Sequence, residues 1–205
     1  MSCGDEKEAL AQEAAAALEA KGITKADYDQ KLRECFFNAE RSEDFDKELF
    51  KQLILAGANP NIPLHEGKED PPIFPLSRAG MADSLQVLVD AGVDVNAVLR
   101  GRTPLMLAVS GGNPKAAEIL IKAGSNVNAV DEDGRSVLWR AIVEERPDMV
   151  RLLLENGADA KAKDPQGRTM LEVAMEEVTD REVCEAIIQM LVAHGVAPET
   201  GAAAE

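Results

Sequence analysis

Glycines that close an apolar stretch recur along this chain at Gly57, Gly92, Gly124, Gly157 and Gly195, with separations of 35, 32, 33 and 38 residues. Around them stand L-A-G-A-N-P-N (55–61), D-A-G-V-D-V-N (90–96), K-A-G-S-N-V-N (122–128), E-N-G-A-D-A-K (155–161) and A-H-G-V-A-P (193–198). This period constrains the fold more than any other feature. Self-similarity near 33 residues marks stacked units, each a single supersecondary element too small to bury its own apolar face. A second phrase keeps the same period: Gly-Arg-Thr/Ser-x-Leu-x-x-Ala at Gly101–Ala108, Gly134–Ala141 and Gly167–Ala174.

Each copy reads as two helices and an extended loop. Thr103 followed by Pro104 supplies an N-cap and an N1 proline, so a helix opens there. Leu105 and Ala108, three apart, share its inner face, and Gly111-Gly112 ends it. Asn113-Pro114 reads as a second cap and N1 pair, opening a helix with Ala116, Ala117, Ile119 and Leu120 on its apolar side. Gly124 then supplies the left-handed residue after the helix end. In the next copy Ser136 caps, Leu138 and Ala141 face inward, Pro147 starts the second helix, and Met149, Val150, Leu153 and Leu154 pack.

These residues resemble the ankyrin repeat, roughly D-x-x-G-x-T-P-L-H-x-A-A, a second helix with L-L, then G-A-D-V-N-A. The matches are Gly101, Thr103, Pro104, Leu105 and Ala108 in one copy; Asp131, Gly134, Ser136, Leu138, Ala141, Leu153, Leu154, Gly157, Ala158 and Asp159 in the next; then Asp164, Gly167, Thr169, Leu171 and Ala174. The resemblance covers about 36–196. It implies an all-α solenoid of stacked helix-turn-helix units over 36–197, with copies near 36–63, 64–97, 98–130, 131–163 and 164–197.

Departures from the pattern set local expectations. Met106, Trp139 and Glu172 stand where the family has histidine, so its inter-repeat hydrogen bonds are missing. Pro75 falls inside the first helix of the second copy, which is expected to be short or distorted. The first copy is legible only from Asp46 to Ala56. The last carries about five extra residues, where Thr179 and Glu182 read as a capping box beside lengthened helices. Residues 5–21 read as a helix ending at Gly22, and a second starts at Thr24 and runs through Tyr28, Leu32 and Cys35. Residues 1–35 are expected to form an N-terminal helical cap, the alternative being a partner-binding helix; 198–205 read as a flexible tail.

Composition excludes several classes. The 205 residues are 45% hydrophobic but only 3% aromatic, which suits thin layers of closely packed small aliphatic side chains. A net charge of −15 disfavours nucleic acid and anionic lipid at the level of the whole molecule. Cys3, Cys35 and Cys184 are odd in number and far apart, so neither a disulfide framework nor a structural zinc site is expected. The acidic N-terminus has no secretory pattern, and no window nears the roughly 18 apolar residues of a membrane span. The reading is a soluble cytoplasmic protein in a reducing compartment.

No catalytic, metal or cofactor site emerges. Asp131–Gly134 resembles a calcium loop but lacks the distal Glu, since position 140 is Arg140. No phosphate loop, dinucleotide fingerprint, nucleophile elbow or zinc helix occurs. Cys184 reads as core beside Val183, Ile187 and Ile188, and Phe74 as core before exposed anchor. His194 reads as a cation at a helix C-terminus.

The resemblance implies binding of another protein on a concave face made by the turns and first helices. The residues implied to face that side are Leu99, Arg100 and Arg102, then Glu132, Asp133 and Arg135, then Pro165, Gln166 and Arg168. With layers about 8–10 Å apart, Arg102, Arg135 and Arg168 form a ladder about 20 Å long. Two such charges about 10 Å apart repel by only about 0.4 kcal/mol in water, so the ladder is cheap and is either ordinary solvated surface or a guide for an acidic segment. Trp139 is read as inter-repeat packing or as a hot spot, and Arg140 beside it as an extension of the basic surface. The function expected is a non-catalytic scaffold, adaptor or assembly subunit, monomeric or within a hetero-complex, holding an acidic or extended partner through Arg100, Arg102, Arg135, Arg168, Trp139 and Arg140. The alternatives are a regulatory inhibitor of an enzyme, or a structural subunit of a cytoskeletal or organellar assembly.

Overall fold

A computed structural model describes residues 3–41, 45–64 and 70–196. The tail expected over 198–205, His65, and residues 42–44 within the first copy lie outside them. The fold class is all-α. Two compact units form, Met1–Leu76 with Met81–Val95, and Ser77–Gly80 with Asn96–Glu205.

One device explains the periodic glycines. Gly57 has φ 99 and Gly124 φ 93, the left-handed region that costs a glycine little. In each copy the glycine N–H donates to the carbonyl three residues back, and the next N–H reaches the carbonyl five back: Gly124 N to Ile121 O at 3.0 Å and Ser125 N to Leu120 O at 2.9 Å. This satisfies carbonyls that the helix end leaves without partners.

In the first unit, α1 (Cys3–Ala20) buries Ala14 and Leu18 and packs on α3 (Lys47–Leu55). Thr24 N–H and hydroxyl both donate to Asp27 Oδ2, at 3.0 and 2.7 Å, opening a 3-10 turn into α2 (Tyr28–Arg41). α2 buries Tyr28, Leu32, Cys35 and Phe36. Asp46 caps α3 by accepting from Leu49 N at 2.9 Å, and Phe36, Phe45 and Phe50 cluster with ring centroids 5.2–5.7 Å apart. α5 (Ala82–Asp90) packs on α3.

α4 (Ile73–Ala79) corrects an expectation. It has seven residues, as do α6 (Pro104–Ser110) and α8 (Val137–Val143), so Pro75 does not shorten it. Pro75 stands third in the helix, where the N–H would have no intrahelical partner in any case. Phe74 is buried, as core.

The second unit stacks three helix pairs. α6, α8 and α10 (Met170–Glu177) form one layer; α7 (Pro114–Lys122), α9 (Pro147–Glu155) and α11 (Arg181–Ala193) form the other. Leu105, Ala108, Leu138, Ala141, Met149, Val150, Leu153 and Leu154 are all buried, each large aliphatic contributing roughly 1.5–3 kcal/mol by leaving water. Ile119 is only half-buried. Thr103, Ser136 and Thr169 cap their helices by accepting from Met106, Trp139 and Glu172 N.

Two caps differ from expectation. Asn113 makes no side-chain cap; its Nδ2 donates to the Arg78 carbonyl at 2.8 Å. α11 is capped by Asp180, which accepts from Glu182 and Val183 N at 2.9 and 3.1 Å, not by Thr179. Thr179 instead donates its N–H and hydroxyl to Glu145 Oε1 of the preceding copy, at 2.7 and 2.6 Å. The extra residues do lengthen α11, to 13 residues against 9 in α9.

Asparagine joins copies along the loops. Asn96 Nδ2 donates to Gly124 O at 3.1 Å while its Oδ1 accepts from Asn126 N at 2.8 Å. Asn128 does the same with Gly157 O and Asp159 N. Lys161 occupies the next equivalent place and ends the series.

Candidate functional site

Three turns project between the helix pairs of the second unit, and they are not alike. The turn at 131–135 closes with Asp131 N to Arg135 O at 3.0 Å and Gly134 N to Asp131 O at 2.9 Å; that at 164–168 repeats this with both distances 2.9 Å. In each, an aspartate lies inside. Asp131 Oδ1 accepts from Asp133 and Arg135 N at 3.0 and 2.9 Å, and Asp164 Oδ1 accepts from Gln166 and Arg168 N at 3.0 and 2.8 Å. The second oxygen is left to take an arginine.

The turn at 99–102 is one residue shorter and has Leu99 where the others have Asp. Leu99 and Arg102 exchange both backbone hydrogen bonds, at 2.9 and 3.0 Å. Arg100 and Gly101 both have positive φ, 50 and 68, which makes this a mirror-image two-residue turn.

These differences separate the arginines. Arg168 is held by three carboxylates: Nε to Asp164 Oδ2 at 2.7 Å, and Nη1 to Glu176 and Glu177 at 2.9 Å each. Burial works to raise the Asp164 carboxyl, but hydrogen bonds from the Arg168 side chain and backbone outweigh it and hold it below the ordinary value. Arg135 lies over Trp139, its guanidinium carbon 4.7 Å from the ring centroid, and pairs with Asp133 at 3.2 Å. Arg100 and Arg102 are exposed, and neither side chain makes an ion pair among the described residues.

Arg140 is a correction. Read from sequence as surface, it is buried, its side chain 10% exposed, with Nη2 on Asp131 Oδ2 at 2.7 Å and Nη1 3.5 Å from Glu144. Its turn aspartate offers a buried oxygen, and the pair compensates the charge that burial would otherwise penalise. Ser110 donates to the same Glu144 oxygen at 2.8 Å, tying adjacent copies together.

Trp139 is half-buried, and its Nε1, like Arg140 Nε, is buried without a hydrogen bond. Of the other two residues at the family's histidine place, Met106 is fully buried, and Glu172 accepts from Thr169 N at 2.7 Å as the third residue of a capping box. The structure thus brings Arg135 and Trp139 into contact, leaves Arg100 and Arg102 open, and ties Arg168 and Arg140 into internal pairs.

Sequence reasoning missed two apolar residues beside the turns. Val98 and Val130, equivalent in adjacent copies, are 65% and 59% exposed. The signal was the recurrent N-A-V before each turn, with Lys163 replacing the valine in the next copy.

Other side chains stay outside this face. Burial pushes the Cys35 thiol up to about 11, which leaves it mostly protonated and unreactive. Cys184, read as core, is half-buried and lies 3.3 Å from the Ala174 carbonyl. His194 Nδ1 lies 2.8 Å from the Met190 carbonyl at the end of α11. Among the described residues no group of three or more His, Cys, Asp or Glu could hold a metal ion, and no helix is long and apolar enough to cross a membrane.

Stacked helix pairs, with turns at 99–102, 131–135 and 164–168, define a helical repeat protein. The chain belongs to the ankyrin-repeat family, whose model, described as ankyrin repeats in three copies, matches residues 39–131, 73–164 and 123–200. It is 39% identical over 61 residues to the phosphocholine transferase AnkX of Legionella pneumophila, and 33% identical over 92 residues to the E3 ubiquitin-protein ligase KEG of Arabidopsis thaliana. These stretches cover 29% and 43% of this chain but only 6% of each relative, and they match the repeats alone. Ankyrin repeats are protein-interaction modules in general.

Proposed function

We propose that this chain is a non-catalytic adaptor that holds an acidic, extended segment of another protein on the turns of the copies at 98–130 and 131–163. Arg100 and Arg102 supply the positive charge, the Arg135–Trp139 stack a flat cation beside an aromatic face, and Val98 and Val130 the apolar contact. The observation that carries this reading is that neither Arg100 nor Arg102 is ion-paired among the described residues, although the Glu132 side chain lies against Gly101 between them, whereas Arg168 is already paired with three carboxylates. In a chain of net charge −15, an exposed basic spot without an ion pair steers an acidic segment to one place. The domain division, with 1–35 as a cap on repeats over 36–197, and a cytoplasmic location are part of the same proposal.

The test compares affinity capture from native cell extract by wild type, Arg100→Glu/Arg102→Glu and Arg168→Gln, all checked for equal folding by circular dichroism. A partner held by wild type and Arg168→Gln but lost by the double reversal supports the reading. Retention by the double reversal refutes it.

A further inference from the structure

The first half of α1 is uncovered. Residues 4–10 are all exposed, and burial begins only at Ala14 and Leu18. Leu10, on this overhang, is 50% exposed. Beside it runs a groove of about 790 Å³ between α1, α3 and α5. α1 presents Lys7, Leu10, Glu13, Ala14 and Ala17 to it, a spacing that puts one helical stripe along one wall. Leu55 and Val87 contribute apolar surface from the other two helices.

An exposed leucine alone has no meaning. The charges beside it do. Lys7 and Glu13 stand three residues to either side of Leu10, about 4.5 Å along the axis in each direction. Neither makes an ion pair among the described residues.

We propose that this groove takes a second copy of the chain, with α1 packed antiparallel on α1 about a two-fold axis at Leu10. The two-fold axis sets Lys7 of each copy level with Glu13 of the other, twice, and Leu10 against Leu10. A parallel arrangement would oppose lysine to lysine and glutamate to glutamate. An isologous interface must be self-complementary, and the central Lys7, Leu10 and Glu13 of this stripe are. With one leucine pair and two exposed ion pairs at its centre, the dimer is weak, and the net charge of −15 on each copy opposes it most at low salt.

The test is sedimentation equilibrium on the full chain at about 0.15 M salt, which screens the repulsion between like-charged copies, from micromolar to hundreds of micromolar. Wild type shifts toward twice the mass of one chain as concentration rises. Lys7→Glu turns two attractive contacts into repulsive ones and raises the dimer dissociation constant about tenfold; Glu13→Lys does the same. Lys7→Glu/Glu13→Lys restores the pairing with its sense exchanged and returns the constant to the wild-type range. Leu10→Asp abolishes the dimer while circular dichroism stays unchanged, because the side chain is half in water already. Arg102→Glu leaves self-association intact, which separates this surface from the arginine face. A wild type that stays monomeric throughout overturns the proposal. So does a dimer that survives Leu10→Asp, or a double swap that recovers nothing.

Discussion

Asp131→Ala removes the oxygen that compensates a buried charge. The Arg140 and Asp131 side chains are 10% and 7% exposed and 2.7 Å apart, so truncation leaves the guanidinium buried beside Glu144 alone, at 3.5 Å. Breaking such a pair on one side costs about 3–5 kcal/mol. Glu144 retains part of the compensation, while the Asp133 and Arg135 N–H groups lose their acceptor but can turn to water. The expected cost is therefore about 3 kcal/mol, or roughly 6–12 °C in melting temperature for a chain of this size. Urea titration followed by fluorescence of Trp139, the single tryptophan, reports on this unit. The companion is Asp131→Ala/Arg140→Met, which removes both charges and keeps a packed aliphatic side chain; it recovers most of the loss. If Asp131→Ala costs less than about 1 kcal/mol, or the double variant is no more stable than the single, the pair does not compensate a buried charge and the reasoning fails.

Three further outcomes are expected. Thr179's hydroxyl, then its N–H, hold the Glu145 carboxyl below its ordinary 4.5; a depressed folded value gives stability that is present above 4.5 and lost as pH falls through the lower one. The stability gap between wild type and Glu145→Gln, measured by urea titration across pH, should therefore shrink toward zero in acid, and a gap independent of pH refutes the latch. Pro75→Ala should change stability by less than about 1 kcal/mol, because its missing N–H has no helical partner to restore; a larger loss on melting would show that the ring does more. Gly101→Ala should destabilise by about 1 kcal/mol or more, since φ is 68 and an added Cβ would collide with the Glu132 side chain; calorimetry showing no change would mean that the turn rearranges freely.

Much of the fold was legible because local chemistry repeats with it. A glycine that must adopt positive φ, a hydroxyl that caps, and leucines and alanines that face inward need only their neighbours in sequence, so Gly124, Thr103, Ser136 and Leu153 could be assigned from spacing alone. Pro75 misleads as a pattern because its position within the helix, not its presence, decides the cost. Asn113 and Thr179 mislead because each side chain has a partner about 34 residues away, Arg78 or Glu145, that no local pattern names.

The arginines mark the same boundary. Their period, and the charge it places once per copy, belong to the sequence. Whether each charge is free depends on acids brought in by folding: Glu176 and Glu177 close on Arg168 from the end of α10, and Asp131 turns inward to Arg140. A turn shorter by one residue leaves Arg102 without an equivalent of Asp131. Repeat identity is written in short-range steric and hydrogen-bonding rules, which sequence carries directly. Neutralisation of a charge acts over a few ångströms of space whatever the separation along the chain, and only the tertiary structure decides it.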